Sequence, residues 1–172
     1  MGAATVSRFA YPLRPFLPAD TIELRELFAA SIEELTADDY TEDQRVAWAS
    51  GAEDGAAFAK RLGAMTTLVV QVDDAYLGFA SLKDNTSVDM LYVHPNFAAE
   101  GVGTALMDAI ETIAKARGAE AVTADVSDTA LPFFEARGYA QLHRNLIARD
   151  DAWLANTYMK KPLAPVVRAG DA

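Results

Sequence analysis

The hydrophobic period of the chain changes several times, and those changes divide it into helical and extended stretches. From residue 22 to 35, Ile22, Leu24, Leu27, Phe28, Ser31, Ile32 and Leu35 keep a mostly helical spacing, which predicts one helix with Asp20 as its cap. A polar break follows, and Thr41 with Gln44 forms a capping-box pattern that opens a short helix through Val46, Ala47 and Trp48, ended by Gly51. A third helix is predicted over 55–62, before Gly63. From Thr66 the period becomes extended. Strands at 67–71, 76–82 and 87–93, separated by turns at Asp73-Asp74 and Asp84-Asn85, predict an antiparallel meander. The helical period returns over 101–117, with Val102, Ala105, Leu106, Ala109, Ile110 and Ile113 on one stripe and Thr104, Asp108, Glu111 and Lys115 opposite. Gly118 stops that helix. A strand over 121–126, a short helix from Asp128 or Thr129 to Gly138, and strands over 139–148 and 153–161 complete the pattern. Upstream, residues 11–16 read as an edge strand, because Pro12 and Pro15 cannot donate to a neighbour. Residues 1–9 and the tail from Pro162 carry no period and are expected to be irregular.

The junction at residues 90–106 carries the most chemistry. An apolar strand breaks at Pro95, passes Gly101 and Gly103, and enters the amphipathic helix. The first N–H groups of a helix have no intrahelical partner, and the peptide dipoles place roughly half a positive charge there, so the main chain alone can hold a diphosphate. Neither glycine has a Cβ to keep a ligand away.

Length and charge narrow the options. At 172 residues and 51% hydrophobic, the chain is expected to be one domain over 1–172, with its core at about 9–162. No apolar run of membrane length and no export signal is apparent, so a cytoplasmic protein without a membrane partner is expected. The absence of cysteine excludes a thiolate metal site and an acyl-cysteine mechanism. His94 and His143 are too far apart in the chain to suggest a metal. A net charge of −10 without a basic run argues against nucleic acid, and its field favours a cationic substrate. A dinucleotide fingerprint fails because Leu106 replaces its third glycine, although Asp125 lies near the distance of its acidic residue. The meander also conflicts with repeated parallel units.

The order of elements resembles the GNAT superfamily of N-acetyltransferases over about residues 9–162. Val93-His94-Pro95 leads to Ala98-Ala99-Glu100-Gly101-Val102-Gly103, similar to that superfamily's Val-x-Pro and Gln/Arg-x-x-Gly-x-Gly/Ala signature. A second signature is matched by Ala130, Phe133, Phe134, Glu135, Gly138 and Tyr139. Tyr40, Gln44, Trp48, Asn156 and Met159 place the chain near small bacterial members. The resemblance implies an α/β fold of α+β type, with a mixed, mainly antiparallel sheet of six to seven strands flanked by helices.

It also implies acetyl-coenzyme A as the acyl donor. The cofactor-binding residues would be Leu91, Tyr92 and Val93 along the pantetheine arm, Ala98, Ala99, Glu100, Gly101, Val102, Gly103 and Thr104 at the diphosphate, with Ser127 and Phe134 beside them. A bulge in the 87–93 strand would splay it from its neighbour and free an N–H for the thioester carbonyl. The sequence departs from the family pattern at Ala98 and Glu100, where side chains that help bind phosphate are usual, and at Phe134, where a tyrosine often protonates the leaving thiolate. Glu100 is expected to point outward. Tyr139, Tyr158 and Tyr92 are substitutes for the missing acid. For the base, Ser87 occupies the position of a frequent glutamate, and Asp89, on the same face in a regular strand, could act as base or orient water, or simply bond the sheet or an arginine. The catalytic candidates are therefore Asp89, Ser87 and Tyr158. Tyr40, Trp48, Phe58, Trp153 and Asn156 are candidates for the acceptor wall. The expected reaction is direct transfer to the primary amine of a small molecule. The resemblance leaves a homodimer open, and a non-catalytic acyl-coenzyme A binder is the alternative function.

Overall fold

The computed structural model describes residues 11–165. Its elements are β1 (Leu13–Pro15), α1 (Thr21–Leu35), α2 (Glu42–Ala49), α3 (Gly55–Gly63), β2 (Thr66–Val72), β3 (Ala75–Lys83), β4 (Ser87–Val93), α4 (Val102–Ala116), β5 (Ala121–Ser127), α5 (Leu131–Ala136), β6 (Ala140–Arg149) and β7 (Ala152–Pro162). They build one seven-stranded sheet in the order β1-β2-β3-β4-β5-β7-β6. Every neighbouring pair is antiparallel except β4 with β5. The mixed, mainly antiparallel sheet flanked by helices agrees with the expected architecture. The expected lead-in at 1–9 and the tail beyond residue 165 lie outside the described residues.

Local chemistry accounts for most boundaries. Thr41 caps α2 by accepting from the Gln44 N–H at 3.3 Å, while Gln44 Oε1 accepts from the Thr41 N–H at 2.9 Å, so the predicted capping box forms. Asp73, Asp84 and Asn85 take positive φ in the two meander turns, a region that short polar side chains tolerate. β1 with its proline stands at the sheet edge, where a missing N–H costs nothing.

Helices cover both faces of the sheet and make two apolar cores. One unites Leu106, Met107, Ile110 and Ala114 of α4 with Val70, Leu77, Ala80, Val122, Val126, Phe134 and Met159. The other unites Leu24, Leu27, Phe28 and Ile32 of α1 with Phe58 and Leu62 of α3 and with Val69, Phe79 and Met90. α4 approaches closely because of Gly78 on β3: a Cβ there would lie 2.9 Å from both the Tyr92 carbonyl oxygen and Val102 Cγ1.

Four expectations need correction. Ile22, assigned to the buried stripe of α1, is 67% exposed, because the buried face is the Leu24, Leu27, Phe28, Ser31 and Ile32 row. Asp20 does not cap α1 through its side chain. Its buried carboxylate instead takes Arg14 at 2.7 and 2.8 Å, the Leu17 N–H at 2.8 Å and the Tyr76 hydroxyl at 2.9 Å. That set, led by Arg14, holds its pKa below the usual carboxylate range. Glu111, assigned to the solvent face of α4, is only 7% exposed, because Arg137 and Lys161 both bind its carboxylate. The strand carrying Ser87 and Asp89 is not regular, as its pairing with β3 shows.

Candidate active site

β4 is the axis of the site. Along β3 its register shifts so that Ser81 lies opposite Met90 and Leu82 opposite Val88, leaving Asp89 unpaired as the extra residue of a bulge. Side-chain alternation breaks there. Val88 packs in the α4 core and Met90 in the α1–α3 core, after which Leu91 and Val93 turn to the first and Tyr92 to the second. On the opposite edge, β4 pairs with β5 only at Ser87–Thr123 and Val88–Ala124, so the strands separate beyond the bulge. The His94 N–H is used on the Leu77 carbonyl at 2.8 Å. Because N–H groups alternate between the two edges of a strand, those of Leu91 and Val93 face the gap toward β5.

That gap is a cleft of about 660 Å³, walled by Leu91, Tyr92 and Val93 on one side, 124–127 on the other, and Phe133 and Phe134 beyond. Phe97, Ala98, Ala99, Gly101, Val102, Gly103 and Thr104 also line it. Two positive-φ residues shape the loop: Ala99 at 59° and Gly101 at 87°. Gly101 is the N-cap of α4, and no side chain caps that helix, so its first N–H groups stay available to a ligand. Glu100 lies outside the cleft lining and is exposed, while its carbonyl accepts from Tyr11 Oη at 2.7 Å. The outward orientation expected for Glu100 agrees with this placement.

A second cavity of about 180 Å³ lies between the sheet and the early helices. Trp48, Asp89, Met90, Tyr92, Asp125 and Ser127 belong to the walls of both cavities, which therefore meet at the bulge. Arg61 of α3 donates to Asp89 Oδ2 through Nε at 3.0 Å and Nη2 at 2.8 Å. Asn145 Nδ2 links Asp125 Oδ1 at 3.0 Å to Asn156 Oδ1 at 2.9 Å. Tyr40 Oη donates to the Ala155 carbonyl at 2.7 Å and accepts from the Asp128 N–H at 2.9 Å. Trp48 Nε1 donates to Tyr92 Oη at 3.1 Å, which leaves the phenolic proton free for another acceptor. Burial pushes the Tyr92 pKa up to about 12, against the Trp48 hydrogen bond and the guanidiniums of Arg61 and Arg149.

A family model described as "Acetyltransferase (GNAT) domain" matches residues 36–163, three quarters of the chain and all of the site but its α1 wall. The chain belongs to the GNAT acetyltransferase family. The "Uncharacterized N-acetyltransferase YafP" of Escherichia coli (strain K12) is 27% identical over 148 residues, covering 86% of this chain and 93% of the relative. A crystal structure from Rhodopseudomonas palustris, described as a GCN5-related N-acetyltransferase, "Aminotransferase, Class-II", is 49% identical with a TM-score of 0.88, covering 94% of this chain and 100% of its own. The PaiA N-acetyltransferase of Thermoplasma acidophilum, solved in complex with coenzyme A, shares the fold at 17% identity and a TM-score of 0.72, over 90% of this chain and 100% of its own.

Within this GNAT domain, all the cofactor candidates except Glu100 line the larger cleft. Asp89 sits where the two cavities meet. Ser87 lies outside both walls, paired with Lys83 and Thr123. Tyr158 is also outside both, stacked on His143 with ring centroids 5.0 Å apart. Tyr139 is buried against Phe134, and burial pushes its phenol pKa upward. Tyr40, Trp48 and Asn156 line the smaller cavity, whereas Phe58 is core and Trp153 is exposed. Sequence reasoning missed Arg61, Arg149 and Phe133 as site residues, and weighed Asp125 only as a mark of a dinucleotide fold. No local signal marks the two arginines, since α3 and the β6 end reach the site only through the tertiary fold. Among the described residues no three His, Cys, Asp or Glu groups gather to hold a metal, and no helix is long and apolar enough to cross a membrane.

Proposed function

We propose that this protein transfers an acetyl group from acetyl-coenzyme A directly to the primary amine of a small molecule, both held at once. One observation carries the reading: a cleft built around an uncapped helix start and a second cavity converge at Asp89, Tyr92 and Ser127. The residues fit the donor. N–H groups at 101–104 suit a diphosphate, and the edge of Leu91 and Val93 left unpaired by β5 suits the amides of pantetheine. Coenzyme A supplies the activated thioester; the chain supplies position and charge. An N–H of β4 facing the gap donates to the thioester carbonyl oxygen as it gains charge. Asp89 Oδ1, with no partner among the described residues, receives the ammonium proton directly or through water while Arg61 fixes Oδ2. Phe134 cannot protonate sulfur. Of the three phenols considered for that step, only Tyr92 lines the cleft, and it is neutral at working pH.

The test is titration calorimetry with acetyl-coenzyme A, followed by release of free coenzyme A thiol over a panel of small amines. Binding with acceptor-dependent release is expected. Phe134 favours a second reading, a non-catalytic acyl-coenzyme A binder, which binding without release under any amine would establish. No heat with acetyl-coenzyme A would overturn both.

A further inference from the structure

The smaller cavity differs in charge from the protein around it. The chain carries −10 overall, yet this cavity is lined by two guanidiniums, Arg61 and Arg149, and two carboxylates, Asp89 and Asp125. Their bonding is uneven. Arg61 is committed to Asp89 Oδ2, and Asp125 Oδ1 to Asn145, leaving one oxygen of each carboxylate without a partner among the described residues. Arg149 has no ion pair or side-chain hydrogen bond among the described residues. The adjacent carboxylate, Asp150, is turned to Ser50 Oγ at 3.0 Å, which ties the β6–β7 hairpin to the end of α2. The guanidinium is thus carried on a fixed hairpin at the cavity wall with its donors unspent.

Arg61 is neutralised by Asp89, so the charges left to a ligand are the Arg149 guanidinium and the Asp125 carboxylate, and an ordinary cationic amine or a polyamine answers only the second. A ligand with opposite charges at its two ends answers both. The volume, about 180 Å³, lies below the roughly 300–1,000 Å³ of pockets for drug-sized ligands and suits a molecule of amino-acid size. Asn156 adds an amide N–H donor, since its oxygen is the atom bound by Asn145.

We infer that the acceptor is a small amine carrying its own anionic group, as a free amino acid does: Arg149 takes the anion while the unpaired oxygens of Asp89 and Asp125 take the ammonium. This rests on the acetyltransferase reading above and names the substrate class of the same site. The net charge of the whole protein attracts the ammonium end from a distance, and the cavity then selects the anion.

The experiment is thermal unfolding of the full chain with coenzyme A, adding pools of amino acids, the same pools as carboxamides, and aminoalkyl sulfonates. Amino acids should raise the unfolding temperature beyond coenzyme A alone, and their carboxamides should not. Arg149→Gln should remove that increment while the shift given by coenzyme A remains. For an amino acid that is turned over, Arg149→Gln should raise KM roughly 10- to 100-fold with a smaller change in kcat, and Arg149→Lys should restore part of the loss. A response to sulfonates but not carboxylates keeps the inference and changes the anion. Carboxamides matching the acids, or no response to any anionic amine while coenzyme A still stabilises, overturns the inference and leaves the acetyltransferase reading standing. Absence of any coenzyme A shift overturns that reading as well.

Discussion

The two cavities that meet at Asp89 are made of different material. The larger is a main-chain construction: an uncapped helix start, a left-handed Gly101 and a strand edge without a partner. The smaller is a side-chain construction, with walls from α1 to α3, β4, β5, β6 and β7. A main-chain site depends on glycines and local geometry and tolerates varied side chains, which is how Ala98 and Glu100 can occupy positions where helpful polar groups are usual. A side-chain site changes with any one substitution, which suits it to the selective role we propose for it.

Substitutions on each side should therefore separate binding of the donor from turnover of the acceptor. The largest effect is expected from Asp89→Asn, which should lower kcat about 100-fold or more and alter the pH–rate profile, while calorimetry still detects acetyl-coenzyme A. If turnover survives, proton transfer does not depend on the bulge. Gly78→Ala should come next. Its Cβ would press on the Tyr92 carbonyl and Val102, destabilising the fold by about 1–3 kcal/mol in chemical denaturation and weakening coenzyme A binding by displacing the α4 start. Loss of stability with unchanged coenzyme A affinity would show that the cleft tolerates movement of its helix.

Tyr92→Phe should reduce kcat about tenfold, a modest cost because thiols near pKa 8.5 can leave without help. Burial holds this phenol protonated to about pH 12, so the parent rate should not fall as pH passes the ordinary tyrosine value of 10. The linked stability runs in the same direction: it is complete below pH 10 and lost as pH rises through 12, because the unfolded chain ionises first. The smallest effect is expected from Glu100→Lys, which should tighten coenzyme A several-fold at low salt and less at high salt, the residue being exposed at the mouth of the diphosphate loop. Equal affinities at low ionic strength would mean that charge beside the loop does not matter.

The same division decides what could be read from sequence. The larger cleft was legible because a proline, two glycines and an amphipathic stripe are neighbours in the chain and their geometry is local. The meander and its turns at Asp73-Asp74 and Asp84-Asn85 were legible for the same reason, and the structure adds that Asp73, Asp84 and Asn85 take positive φ there. The smaller cavity was legible only in fragments such as Tyr40, Trp48 and Asn156. Arg61 and Arg149 come from distant elements, and nothing near either one records its partner. Glu111 was misplaced because helical periodicity counts a carboxylate as solvent-facing and cannot foresee Arg137 and Lys161 arriving from later segments. Asp89 was singled out from the face of a regular strand, whereas it is the extra residue of a bulge. The family resemblance implied a bulge in this strand, but its place at Asp89 depends on how Ser81 and Leu82 meet their partners.

That shift means β4 is one residue longer than the stretch of β3 it accompanies. Deleting Asp89 should restore strict alternation along β4 and is expected to narrow its separation from β5, where the two cavities now touch. A single surplus residue thus sits at the point where the sheet opens. A shortened chain is then expected to lose the cleft proposed for coenzyme A while keeping the fold.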